Sequence, residues 1–280
     1  MHTERSTRPR RRRFMLGLVP VLVITLFSLC LGGPAAAKSK ADQSPRPTIV
    51  LVHGDWADGS SWSSVAKRLQ DRGFSVVAPP NLLRGPATDA AYLASYLQTI
   101  SGPIVLAVHS YGGFVTTAAT GNANVKALVY IDSWIPDKGE ILFDLAASAH
   151  SCVDESGLNG VPYDGGVDLY LRWEATATYP GFTDCFATGV KQKDARVLFA
   201  VQRPAALAGF FEPAGAPAWK TIPSWSLIGT LDKVIPAAVQ EEQSSRAGAR
   251  ISRVSAGHLT PITRPGAVTQ VILSAIDGTR

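Results

Sequence analysis

The chain has 280 residues, 46% of them hydrophobic and 18% charged, which fits a globular protein with a sizeable core in one large domain or two small ones. Its formal net charge of +5 comes entirely from residues 1–37, where six arginines face one acid, Glu4; of the 27 basic and 22 acidic residues, 21 of each remain beyond that stretch. The rest of the chain is therefore neutral, which removes any electrostatic case for nucleic-acid binding.

The basic run Arg10 to Arg13 precedes an apolar stretch from Phe14 to Leu31 and the segment Gly32-Gly33-Pro34-Ala35-Ala36-Ala37. Basic run, apolar run and small-residue site together predict an export signal over residues 1–37, cut before Lys38. Arg11 to Met15 also fits the twin-arginine signature, so that route and the general secretory route both stay open. Left uncut, the apolar stretch is just long enough to span a bilayer. After cleavage the expected location is secreted, periplasmic or cell-envelope, with no stable membrane partner. Residues 38–47 are polar and proline-bearing and read as a linker. Cys152 and Cys185 are the cysteines of the mature chain, and an even count in an exported protein predicts a disulfide, with two free buried thiols as the alternative.

Thr48 to Val52 is a continuous apolar run, the pattern of a strand covered on both faces. It ends in His53-Gly54-Asp55-Trp56. A helix follows from about Ser61, with Trp62, Val65, Ala66 and Leu69 at helical spacing and Gly73 beyond its end. Phe74 to Ala78 is a second strand. Thr88 or Asp89 is expected to cap a helix carrying Leu93, Leu97 and Ile100 on one face. Pro103 to Val108 is a third strand, running through His109 into Ser110-Tyr111-Gly112-Gly113 and a helix over Phe114 to Ala119. Val125 to Asp132 is a fourth. Strands alternating with amphipathic helices predict an α/β fold with a mostly parallel central sheet flanked by helices. From about 139 to 220 the chain turns rich in Gly, Pro, Ala and aromatics with short helical pieces, and reads as an inserted cap. The sheet resumes at Pro223 to Gly229 and ends at Arg250 to Ser255, with helices over about 237–247 and 265–275.

Active sites of such sheets lie at the carboxyl ends of the strands. A strand turning sharply into a helix at a serine is a nucleophile elbow, which lifts the hydroxyl above the sheet edge. Serine needs a histidine to take its proton and a carboxylate to orient that histidine. His258 follows the last strand and Asp232 the preceding one, in the chain order Ser, Asp, His. Asp132, at the end of the fourth strand, is the rival acid. His109 is expected to pack on the sheet and His53 to fix its loop. No Cys/His spacing suits a metal and no dinucleotide fingerprint is present, so no cofactor is expected.

Three segments carry a resemblance: His53 to Trp62, His109 to Gly113, and Asp232 to Pro236. Together they make the chain similar to small bacterial exported α/β hydrolases of the α/β-hydrolase fold superfamily. The likeness covers about Thr48 to Ile276, which implies a hydrolase domain over 48–280. It implies Ser110 as nucleophile, His258 as general base and then acid, and Asp232 as orienting carboxylate. It also implies an oxyanion hole from the backbone N–H groups of Tyr111 and Asp55. The sequence departs from the usual pattern at Val108, where a glycine is common, and at Asp55, where a small or apolar residue is common. Asp55 is expected to turn outward and cap the following turn. The implied activity is hydrolysis of a small-molecule carboxylic ester, lactone or thioester. The alternatives are a cofactor-free lyase, a C–C or amide hydrolase, or a non-catalytic binding protein on the same scaffold.

Overall fold

The structure is a computed structural model and describes residues 45–279. The expected export signal and most of the linker lie outside the described residues. Strand β1 (Thr48–Val52) has alternate residues in two cores. Ile49 and Leu51 pack with Trp62, Val65 and Leu69 of the following segment, whereas Val50 and Val52 pack with Leu93, Leu97 and Phe114. Both faces being covered, an unbroken apolar run is what the strand requires. The helix α1 (Ser63–Gln70) is entered through a 3-10 turn over Gly59–Trp62, and Gly73, at φ 80°, reverses the chain into β2 (Ser75–Val77).

Helix α2 (Pro86–Gln98) begins earlier than the expected cap at Thr88 or Asp89. Pro86 supplies the reason: its fixed φ and missing N–H suit a first helical position. Asp89 instead folds back, accepting from the N–H groups of Arg84 at 3.0 Å and Gly85 at 3.4 Å. Strand β3 (Ile104–Ser110) is buried throughout and runs into Tyr111–Ala119, which winds as a 3-10 helix rather than an α-helix. Two glycines and three β-branched residues in succession (Val115, Thr116, Thr117) favour the α form poorly. Strand β4 (Val125–Ser133) follows.

The chain then leaves the sheet. It makes α3 (Leu142–Ser148), an antiparallel hairpin of β5 (Leu158–Tyr163) and β6 (Gly166–Leu171), α4 (Gln192–Ala200), and a two-residue β7 (Ala205–Ala206) paired with β6. It returns through β8 (Ser224–Gly229), α5 (Ala237–Arg246), β9 (Arg250–Val254), α6 (Thr260–Thr263) and α7 (Pro265–Asp277). The central sheet has the order β2-β1-β3-β4-β8-β9 with every neighbour parallel. The three-stranded sheet between β4 and β8 is not foreshadowed by apolar runs, because β5 is mostly exposed. Its one sequence signal is Asp164-Gly165 between the paired Tyr163 and Gly166, a two-residue hairpin turn.

The expected disulfide joins Cys152 and Cys185 across 33 residues. The Cys152 N–H also donates to the Lys233 carbonyl at 2.9 Å, tying this segment to the loop that carries Asp232. Replacing both cysteines by serine should lower stability by about 3–4 kcal/mol on the chain-entropy account. Urea unfolding of the two proteins checks this; equal midpoints would contradict it.

Candidate active site

Ser110 closes β3 at φ 54° and ψ −125°, a left-handed conformation that a residue with a Cβ seldom adopts. Three glycines make the crowded turn possible. A Cβ at Gly54 would lie 2.5 Å from Ser110 Cβ, one at Gly112 would lie 3.2 Å from Val108 Cβ, and one at Gly113 would overlap the Trp134 carbonyl. Val108 is thereby accommodated: it is fully buried in the core, and Gly112 concedes the space. Ser133 Oγ donates to the Ser110 carbonyl at 2.8 Å and pins the turn from β4.

The structure brings Ser110, His258 and Asp232 together from three strand ends. Ser110 Oγ donates to His258 Nε2 at 2.9 Å, and His258 Nδ1–H donates to Asp232 Oδ2 at 2.9 Å. The imidazole is fully buried, and burial pushes its pKa down to about 3, which keeps it a neutral base. Burial also raises the Asp232 carboxyl, opposed by donors from Ile235 N at 3.0 Å, Val234 N at 2.8 Å and Gln240 Nε2 at 2.9 Å. The rival acid Asp132 does something else. Its carboxyl accepts from Gly229 N at 2.7 Å and Thr260 N at 3.2 Å and makes no hydrogen bond to His258. It ties the end of β8, just before Asp232, to the turn that carries His258.

The two N–H groups expected in the oxyanion hole belong to the residues after Ser110 and after Gly54, and a Cβ at Gly54 would lie 3.1 Å from Ser110 Oγ. Tyr111 opens the 3-10 helix, where an N–H has no partner within the helix. The Asp55 N–H donates to no protein acceptor among the described residues. The loop between them is held by His53: its Nδ1–H donates to Gly54 O at 2.9 Å, and its Nε2 accepts from Asn81 N at 3.0 Å. His109 packs edge-on against Trp62, and its Nε2–H donates to the His258 carbonyl at 2.8 Å. Burial holds both rings neutral, His53 at about 4 and His109 well below the ordinary value.

The Asp55 side chain corrects the sequence expectation. It is 4% exposed rather than turned outward. The capping role belongs to Asp58, whose Oδ1 accepts from Ser60 N at 2.7 Å. The helical turn starts at Gly59, so the cap position is 58 and Asp55 stands three residues too early to serve it. Burial, and then the charge of Asp89, raise the Asp55 pKa well above the ordinary carboxyl range.

Sequence reasoning did not find Gln240, Asn81 or Ser133, which each make two hydrogen bonds in and around the site and sit in no motif. The roof of the site was also hidden. Trp56 Nε1–H donates to Leu169 O of β6 at 3.0 Å, Phe186 lies 5.5 Å from the His258 ring, and Arg84 pairs with Asp168 at 2.7 Å. Beneath it Ser110 is 5% exposed.

A model of the alpha/beta hydrolase family matches residues 49–271. Among curated proteins, the chain is 28% identical over 115 residues to the carbendazim hydrolyzing esterase of Nocardioides sp., covering 36% of this chain and 48% of that protein. It is 32% identical over 111 residues to the probable hydrolase R7 of a Phoma species, covering 34% of this chain and 46% of that one. The match thus spans about half the length of each of these relatives. An extracellular α/β-hydrolase from a Paenibacillus species superposes with a TM-score of 0.64 at 22% identity, over 82% of this chain and 98% of that one. The pyrethroid hydrolase of Sphingobium faniae JZ-2 gives 0.64 at 18% identity, over 82% and 97%. At these identities the solved structures speak for the fold alone. With the parallel sheet, the elbow at Ser110 and a family match over most of its length, this chain belongs to the alpha/beta hydrolase family.

Proposed function

We propose that the chain is an exported serine hydrolase of small carboxylic esters, acting through Ser110, His258 and Asp232. The observation that carries this reading is the unbroken hydrogen-bonded chain from Ser110 Oγ through the neutral His258 ring to Asp232. His258 Nε2 takes the Ser110 proton as Oγ attacks the ester carbonyl. The tetrahedral oxyanion is met by the N–H groups of Asp55 and Tyr111, aided by the positive end of the following helix. His258 then returns the proton to the departing alcohol, leaving an acyl group on Ser110. Water, deprotonated by the same nitrogen, attacks the acyl-enzyme and releases the acid. A carboxylate at position 55 would oppose the developing negative charge; burial disfavours that charged form and raises its pKa. An esterase among the curated relatives supports an ester as substrate. The bonded Cys152 and Cys185, together with the signal expected over residues 1–37, support a secreted or cell-envelope location.

Turnover of a chain-length series of p-nitrophenyl esters by the mature protein tests the reading. Hydrolysis to the free acid and alcohol is expected; no turnover of any ester, or lyase or amide products instead, would refute it. A pH profile adds a second check. The base must be unprotonated, so kcat/KM falls as pH drops through the free-enzyme pKa of His258. Because burial lowers that pKa from 6.5 to about 3, the acid limb should lie well below pH 6.5. A limb centred near 6.5 would contradict a buried, neutral His258.

A further inference from the structure

The bond between Cys152 and Cys185 joins two segments outside the central sheet, one after α3 and one before α4, and each reaches a different member of the triad. From Cys152 the path is short. Its N–H donates to the Lys233 carbonyl at 2.9 Å, and Lys233 directly follows Asp232. The next two N–H groups, of Val234 and Ile235, hold Asp232 Oδ1 at 2.8 and 3.0 Å. From Cys185 two contacts lead to His258. Phe186, the next residue, is buried, and its ring lies 5.5 Å from the imidazole. Thr188 donates its hydroxyl to the Cys185 carbonyl at 3.0 Å. It lies so near Gly257 that a Cβ there would come within 2.7 Å of Thr188 Cβ and of its carbonyl oxygen. Gly257 directly precedes His258.

These contacts close a ring. From Asp232 it runs through Lys233 and Cys152 to the disulfide, then through Cys185, Phe186 and Thr188 to His258, whose Nδ1–H donates back to Asp232 at 2.9 Å. Two other ties join the same loops, and both stop short of the catalytic side chains. The Asp132 carboxyl binds Gly229 N, three residues before the acid, and Thr260 N, two residues after the histidine. Leu231 N donates to Ala256 O at 2.9 Å, one residue before the acid and two before the histidine. Neither tie touches the face of the imidazole that Phe186 covers. A disulfide serving stability alone can join any two parts of a chain and acts mainly on the unfolded state. This one ends one residue from the acid loop's partner on one side and one residue from a ring on the catalytic histidine on the other.

Resting on the esterase reading, we infer that the Cys152–Cys185 disulfide is a positioning element of the active site, which holds His258 and Asp232 in register through Phe186, Thr188 and Lys233. It acts through these residues and takes no part in bond making. Position matters here because one nitrogen, His258 Nε2, serves every proton transfer, and a displacement of about 1 Å can cost about 100-fold in rate. The same Phe186 ring stands edge-on to Trp56 at 5.9 Å. Trp56 follows Asp55, so the braced segment also borders the loop that supplies an oxyanion N–H.

The test measures kcat and KM for p-nitrophenyl butanoate on wild type and on the double variant Cys152→Ser with Cys185→Ser. Both are assayed at a temperature where melting curves show them folded, with active sites counted by phosphonate titration of Ser110 to completion. Loss of the brace should lower kcat per active site by about 10-fold or more, a larger change than that in KM. A bond that only adds stability would lower the melting temperature and change kcat per site by less than about threefold. That result would overturn the inference and leave the esterase reading standing. A second arm keeps the disulfide. Phe186→Ala should lower kcat by about 10-fold, and Phe186→Leu, which keeps an apolar body over the imidazole, should recover most of it. If the double variant does not fold, this arm decides, and an unchanged kcat in Phe186→Ala would overturn the inference. Absence of Ser110-dependent turnover by wild type on every ester would overturn both readings.

Discussion

Replacing Ser110 by alanine should lower kcat/KM for a reactive ester by about 10⁴ or more, with the fold intact. The size follows from the proposed role of the hydroxyl: it forms the covalent bond to the acyl carbon, and among the described residues no other side chain hydrogen-bonds His258 Nε2. The N–H groups of Asp55 and Tyr111 remain and leave a residual rate above that of water. The fold should survive because alanine keeps the same Cβ at the same strained φ of 54° and loses only the bond to His258 Nε2. Melting curves of the two proteins should therefore nearly coincide while their rates diverge. Equal rates would remove Ser110 from the chemistry.

The second large effect separates the two buried acids. Asp232→Asn should lower kcat by about 10⁴ at little cost in stability, because an amide facing His258 Nδ1 favours the wrong tautomer. The proton then sits on Nε2, which can no longer accept from Ser110. Asp132→Ala should behave in the opposite way. It strands the Gly229 and Thr260 N–H groups in a fully buried place, at about 1–3 kcal/mol each, so its main result is a lowered melting temperature with a smaller loss of rate. Rate constants and melts on the two variants decide the matter. If Asp132→Ala abolished turnover in a well-folded protein and Asp232→Asn did not, the acid would be Asp132.

The parts of this molecule legible in its sequence are those with a strong one-dimensional signal. Parallel strands buried on both faces need unbroken apolar runs, and Thr48–Val52, Ile104–Ser110 and Val125–Ser133 supply them. Ser110 ends such a run, and Asp232 and His258 come within a few residues of the ends of β8 and β9, so their meeting at one sheet edge could be read from chain order. The three-stranded sheet over 158–206 lacks long apolar runs because β5 lies largely in solvent, and only the Asp164-Gly165 turn marks it. Gln240 reaches Asp232 from one turn inside α5, a contact set by how α5 packs on β8 and invisible in any spacing. Asp55 was misjudged for a local reason. Its neighbourhood contains two aspartates before the turn, and which one caps depends on where the helical turn begins. Burial of the other is decided by the tertiary fold, which brings Arg84 and Asp89 close enough to act on its charge.

The most direct test of the account is the covalent bond it requires. The mature protein would be incubated with a p-nitrophenyl alkylphosphonate, which a serine attacks as it would an ester but does not release, and its mass and peptide map measured. The account predicts one equivalent of p-nitrophenol, one phosphonyl adduct on the peptide containing Ser110, and no adduct in Ser110→Ala. An adduct on another residue, or undiminished ester turnover by a protein that Ser110→Ala leaves active and unlabelled, would contradict it.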